Sequence, residues 1–284
     1  MKSKESVNRL LFKNIPLLLF VIIFVLFGLF SPKFLSMASF SNIILNSSYV
    51  GIIGIGIMFV LLTAGIDLSV GSVMYLSAAS TGLLIARFHV PTAVGVCAGI
   101  GVALLVGLFN AFCIIKLKIL PFVTTLGTMT AGRALGTWMT HSESVNLPKS
   151  ITSLGSQKIA GIPMAILLFL LIAAAAALFL ARTRLGRQVY AVGNDPEDAR
   201  KAGISNNKIL FTVYMLSALL AGIGGIISVA QIGIVNASFG KGEEFNAIAA
   251  AVLGGTSLAG GSGKVSGTIL GAVMIQMIQS GLVY

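Results

Sequence analysis

AVGNDPEDARKAGI, residues 191–204, interrupts a chain that otherwise avoids charge. Asp195, Glu197, Asp198, Arg200 and Lys201 fall within seven residues of it. Residues 182–208 carry nine charged side chains, although all 284 residues supply only 19 basic and 8 acidic ones. The chain is 56% hydrophobic and 10% charged, against about 25% charged in a soluble domain, and its mean hydropathy is +1.00. Its 33 glycines fit membrane helices, where glycine is more frequent than in soluble ones. Composition therefore gives a multispan integral membrane protein, and the charged stretch marks where it meets water.

About 20 apolar residues make one helical span. Candidates lie near 13–31, 43–64, 68–86, 91–115, 119–140, 161–181, 208–231, 244–260 and 265–284. The expected fold class is all-α: a polytopic bundle with about nine spans. The second and third segments are almost one run, which as a single helix would be about 66 Å long, twice a bilayer. The chain must turn or break at TAGIDLSVGS, between Gly65 and Gly71.

Basic residues set the sidedness. With the N-terminus inside, Lys2, Lys4, Arg9, Lys13, Lys116, Lys118, Arg182, Arg184, Arg187, Arg200, Lys201 and Lys208 are cytoplasmic. Before the seventh segment only Lys33, Arg87, Lys149 and Lys158 lie outside, as the positive-inside rule requires. The net charge of +11 is thus a topology signal, and no nucleic-acid partner is expected. The apolar run after Lys13 lacks a small-x-small cleavage site and reads as an uncleaved first span. The outer loop 141–160, with Pro148 and several serines, reads as an irregular cap. Cys97 and Cys113 lie about 24 Å apart on one helix and cannot pair.

In the charged stretch, Asn194 or Asp195 can cap a helix and Pro196 suits its first turn. Glu197 and Asp198 then lie at the positive end of that helix, and Arg200 and Lys201 nearer its negative end. Gly203 is a natural stop. The order of cap, acids, bases and glycine predicts a short cytosolic helix of about two turns, shaped for docking.

The run EDARKAG resembles the E-A-A-x-x-x-G element of ABC importer permeases, with Asp198 in place of the first alanine. TRLGRQVYAVGNDPEDARKAGI, TAGIDLSVGSV at 63–73, LPFVTTLGTM at 120–129 and EFNAIAAAVLGGTSLAGGSGKVSGTILGA at 244–272 are similar to the ribose-type monosaccharide permeases, in matching order over about 40–284. Asn194 and Asp195 replace part of that family's Gly-Gly-Asn, and Asn246 stands where it has Asp. The resemblance implies one permease domain, 1–284, with a cytoplasmic N-terminus at 1–14 and a cytoplasmic coupling loop at 182–207. It implies ten spans, so the chain stops about one short at Tyr284. Asn194, Asp195, Pro196, Glu197, Asp198, Ala199, Arg200 and Gly203 would form a coupling helix docking on an ATPase.

The same resemblance implies a place in the bacterial inner membrane and a second permease subunit, identical or paralogous. Two ATP-binding subunits and an extracytoplasmic solute-binding protein would complete the importer. The solute would be a monosaccharide or a similar small polyhydroxylated molecule. This chain would hold no cofactor, since Mg-ATP would sit on the partner ATPase, and it would not itself be an enzyme.

Asp67 either caps a helix starting at Leu68 at the cytoplasmic interface or lines a path. Thr124, Thr128 and Arg133 in the fifth segment, and Asn46 and Ser47 in the second, either pack helices together or line a sugar path. Asn246 joins this set of substrate-path candidates. Glu243 and Glu244 read as solvated at the outer end of the eighth segment, as do His141 and Glu143 near that of the fifth. Trp138 reads as an interface-belt residue. GGTSLAGGSGKVSG at 254–267 fails the Walker pattern twice, at Leu258 and Val265, and reads as close helix packing. An ion-driven secondary transporter would need intramembrane carboxylates; only Asp67 offers one, standing alone.

Overall fold

A computed structural model describes residues 15–31 and 33–283. Lys2, Lys4, Arg9, Lys13 and the expected N-terminal segment 1–14 lie outside the described residues, as does Tyr284.

The bundle begins with α1 (Ile15–Phe30) and α2 (Met37–Leu62), whose first turn is capped by Ser36 Oγ accepting from Ser39 N at 3.2 Å. α2 is 26 residues and about 39 Å long. It ends at Thr63, where Ala64 turns the chain in the left-handed region at φ 58°. The chain then runs without helix until α3 (Val70–Ala86). The expected break between Gly65 and Gly71 is therefore present. α3 is apolar all round and almost wholly buried, as a central helix must be.

α4 (Thr92–Ile115) and α5 (Pro121–Met139) follow. At the end where α3 finishes, a small cap covers the bundle: β1 (Val145–Asn146), α6 (Lys149–Ser156) and a hairpin of β2 (Lys158–Ile159) and β3 (Ile162–Pro163). The loop expected to be irregular is thus partly ordered. Next come α7 (Met164–Arg182), α8 (Arg184–Asn194), α9 (Pro196–Lys201) and α10 (Asn206–Ile232). β4 (Ile234–Val235) pairs antiparallel with β1, Val145 opposite Val235, and closes the cap.

The chain then descends into the bundle and forms α11 (Glu243–Leu253). The sequence predicts a full span at 244–260, but α11 has 11 residues and covers about 16 Å, half the hydrocarbon core. A glycine-rich loop follows, and α12 (Val265–Val283) returns across the bundle. Among the described residues, α2, α4, α7, α10 and α12 are long and apolar enough to cross a membrane, with α1 and α3 shorter apolar helices. The chain is a multi-pass membrane protein.

α2, α3 and α10 form the core, meeting through small residues as membrane helices do when no water drives them together. At Gly225 in α10, a Cβ would come within 2.7 Å of the Met74 carbonyl of α3. Gly225→Leu should therefore overpack the seam and cost about 1–3 kcal/mol. A fall in the thermal unfolding midpoint in detergent checks this.

Candidate functional site

The charged stretch folds as two helices meeting at a sharp turn. Thr183 Oγ1 accepts from Gly186 N at 2.9 Å to start α8, whose buried face is Gly186, Val189, Val192 and Gly193. Asp195 caps α9, its Oδ1 accepting from Glu197 N at 2.8 Å and Asp198 N at 3.0 Å, with Pro196 in the first turn. These amides, Asp198's first, hold the exposed Asp195 carboxyl below the ordinary carboxylate range. Gly203, at φ 81°, ends the helix with open space around it.

Only Ala199 of α9 is buried. Asn194, Glu197, Asp198 and Arg200 face solvent, with exposed ion pairs Arg200–Glu197 at 2.8 Å and Lys201–Asp198 at 3.0 Å. Such surface pairs contribute little to stability. The helix is placed less by these charges than by its base. Asn206 Nδ2 donates to Pro196 O at 2.9 Å and ties the loop to the start of α10.

That base is a three-way joint. A Cβ on Gly193 would run into the Leu62 carbonyl, so only glycine lets α8 approach the end of α2. Gly261 N donates to the same carbonyl at 3.0 Å, and Tyr190 Oη donates to Gly263 O at 2.9 Å. The α8–α9 turn, the break after α2 and the loop between α11 and α12 thus share one contact point. The stretch 254–267 serves this packing.

The break carries a buried polar network. Asp67 is 2% exposed. Its Oδ1 accepts from Ser69 N at 2.9 Å and Ser69 Oγ at 2.6 Å, and its Oδ2 from Ser217 Oγ at 2.8 Å. Ser217 lies eleven residues into α10, about 16 Å from its start. Asp67 therefore sits deep in the bundle, and the hydrated interfacial cap predicted as one reading does not occur. Asn110 Nδ2 donates to Ser69 Oγ at 2.9 Å, and Thr128 Oγ1 donates to Asn110 Oδ1 at 2.6 Å. Two candidates, Asp67 and Thr128, are joined through Ser69 and Asn110, with Ser217 on the other Asp67 oxygen, and the sequence reading left out all three. Asn110, a lone amide in the apolar run GLFNAF, carried the usual signal of a polar group placed inside a span.

Thr124 is buried on the same face of α5, its Oγ1 without a hydrogen-bond partner among the described residues. Ser47 donates to its own helix, at Ile43 O, 2.6 Å away. Asn46 is half-buried, and neither it nor Ser47 bonds another candidate among the described residues. Asn246 Nδ2 donates to Glu243 Oε2 at 3.3 Å, and Tyr49 Oη to Glu243 Oε1 at 3.4 Å. Arg133 Nη1 donates to Phe239 O at 2.7 Å.

Glu243 and Glu244 correct the sequence reading. They lie on the buried half-helix α11, and Glu244 is only 5% exposed. Asp67 is thus not alone as an intramembrane acid. The sequence concealed this because 244–260 read as one unbroken span with its acids outside. Glu143 is exposed and pairs with Arg87 at 2.9 Å, and Trp138 is exposed.

Residues 39–284 match the family described as branched-chain amino acid transport system / permease component. The chain belongs to this family. This permease is 35% identical to the ribose import permease protein RbsC of Escherichia coli (strain K12), over 89% of its own length and 80% of the relative's. It is 33% identical to the fructose import permease protein FrcC of Rhizobium meliloti, over 94% and 77% of the two chains. It is 32% identical to the D-allose transport system permease protein AlsC of Escherichia coli (strain K12), over 99% and 87%. No solved structure matches the permease.

Two outcomes follow from the geometry. Asp67→Leu removes the acceptor of three donors, at about 1–3 kcal/mol for each orphaned group. It should lower the thermal midpoint in detergent more than Ser217→Ala does. The Asp195 carboxyl has a depressed pKa in the folded state, so its cap is complete above the ordinary carboxylate range and is lost as pH falls through the lower folded value. Hydrogen-exchange protection of the Glu197 and Asp198 amides should fall with acid in the wild type and be low at every pH in Asp195→Ala.

Proposed function

We propose that this chain is the membrane-spanning permease subunit of an ATP-binding-cassette importer. It moves a monosaccharide or similar small polyhydroxylated solute into the cytoplasm. The observation that carries the reading is the exposed, capped α9, seated through Gly193 on the chain break after Leu62. Family membership supports it, as do relatives named for ribose, fructose and D-allose.

In this reading the α8–α9 end is cytoplasmic, with the N-terminus, and the β1–β4 cap faces outward. Two such permeases pair, two ATP-binding subunits dock beneath on α9, and a solute-binding protein delivers solute at the cap. The ATPases hold the Mg-ATP, and this chain performs no hydrolysis. Closing of the ATPase pair pushes on α9. The rigid contact of Gly193 with Leu62, and of Leu62 with Gly261, passes that push to the break after α2 and to the loop that ends α11. Both discontinuous segments reach the middle of the bundle, so a small displacement at the base is delivered at mid-depth. An ion-driven transporter has no support among the relatives, whose names are those of import permeases and transport-system subunits.

The test is reconstitution in proteoliposomes with the ATPase and binding protein. Glu197→Lys combined with Gly203→Pro should abolish ribose uptake and co-purification of the ATPase while the permease still inserts. Retention of both would remove the docking role of α9.

A further inference from the structure

α1 and α12 part toward the base of the bundle. Near the end of α12 they touch, since a Cβ on Gly281 would run into the Phe27 ring. At the base a cleft of about 970 Å³ opens between them, with Ile15, Leu17 and Leu19 on one wall and Ser266 and Leu270 on the other. Pro16 Cγ closes its edge, 3.5 Å from where a Gly255 Cβ would stand. The cleft lies beside the three-way joint, because Tyr190 and Gly263, bonded to each other, both line it.

The lining has two halves. Ile15, Leu17, Leu19, Val252, Leu253 and Leu270 make it apolar on one side, and Lys264, Ser262, Ser266 and the glycines between them make it polar on the other. No acidic side chain is among the described residues that line it. Lys264 is exposed and forms no ion pair among the described residues. The backbone amides of Ser262, Gly263, Lys264, Val265 and Ser266 find no acceptor among them either. These amides form the turn into α12 and its start, where the helix has no carbonyl to offer and its dipole is positive. At the same wall Thr256 Oγ1 is buried without a partner among the described residues, 2.9 Å from where a Gly263 Cβ would stand. The polar half thus presents donors and a cation to whatever enters, the requirement of an anion.

We propose that this cleft holds the headgroup of an anionic phospholipid. Its phosphate accepts from Lys264 Nζ and from the amides entering α12, and its acyl chains leave along the apolar side, between α1 and Leu270, for the bilayer. The two halves together select this occupant. A free phosphate would leave the apolar side in water, and a zwitterionic lipid would bring an ammonium toward Lys264. The chain's own residues 1–14 carry Lys2, Lys4, Arg9 and Lys13 against the single acid Glu5, and would set like charge beside Lys264. A lipid seated here bridges α1 to the loop whose Gly261 holds the end of α2.

The test uses the purified permease in detergent, with phosphatidylglycerol, phosphatidylcholine and glycerol 3-phosphate as probes. Phosphatidylglycerol should raise the thermal unfolding midpoint saturably, and the other two should not do so at the same concentration. Lys264→Gln, whose side chain is exposed, should elute as the wild type does and need about fivefold more phosphatidylglycerol for half the shift, the effect of one lysine near an anionic lipid. Lys116→Gln, at the same end of the bundle but outside the cleft, should match the wild type. A photoactivatable phosphatidylglycerol should label peptides holding residues 15–19 and 262–270 in the wild type, and label them less in Lys264→Gln. Equal shifts by the two lipids, or a matching shift by glycerol 3-phosphate, would overturn the proposal. So would equal losses in the two lysine variants, which would mean attraction to bulk charge. Absence of label from the cleft would give it to another occupant, residues 1–14 included. Detergent has no leaflets and no uptake is read, so every outcome is separate from the import reading.

Discussion

A backbone that leaves its helix inside a membrane bundle must find every amide and carbonyl a partner within the protein, because the lipid offers none. This chain leaves the helix twice at depth, between Leu62 and Val70 and between Ile232 and Glu243. The rest of the fold follows from meeting that demand. Asp67 takes the Ser69 amide and two hydroxyls, Gly261 donates to the last carbonyl of α2, and the guanidinium of Arg133 takes the Phe239 carbonyl. Without these contacts, each break would expose backbone to hydrocarbon at several kcal/mol per group.

The same contacts join the breaks to each other and to the aqueous surface. Glycine is what permits it, because the closest approaches are between one segment's backbone and another's. Gly193 brings α8 onto Leu62, and Gly71 leaves room where α3 and the segment before α11 meet. The α8–α9 turn is therefore joined to the end of α2 through packed backbone, with no long flexible side chains between them. Irregular backbone at depth, tolerated only where protein buries it, commonly lines sites in transporters.

Much of this was legible in the sequence. Apolar runs of about 20 residues gave the helices, and the impossible length of 43–86 as one helix gave the first break. The order Asp195–Pro196–Glu197–Gly203 gave α9, since caps, prolines and terminal glycines act within a few residues. The half-length of α11 was not legible. EFNAIAAAVLGG has the hydropathy of a span, and nothing local says that α11 stops after 11 residues. Glu243 and Glu244 were consequently misplaced in water.

Sequence by itself determined membrane class, helix positions, the charged face and the family motifs, because these depend on local composition, periodicity and short-range capping. Tertiary structure alone decided which polar residues meet. Asp67, Asn110, Thr128 and Ser217 lie on four different segments, and Arg133 meets Glu244 beside Gly71 across more than a hundred residues of chain. Their pairing depends on how deep each helix starts and how closely small residues let neighbours approach. Those quantities are set only when the bundle packs.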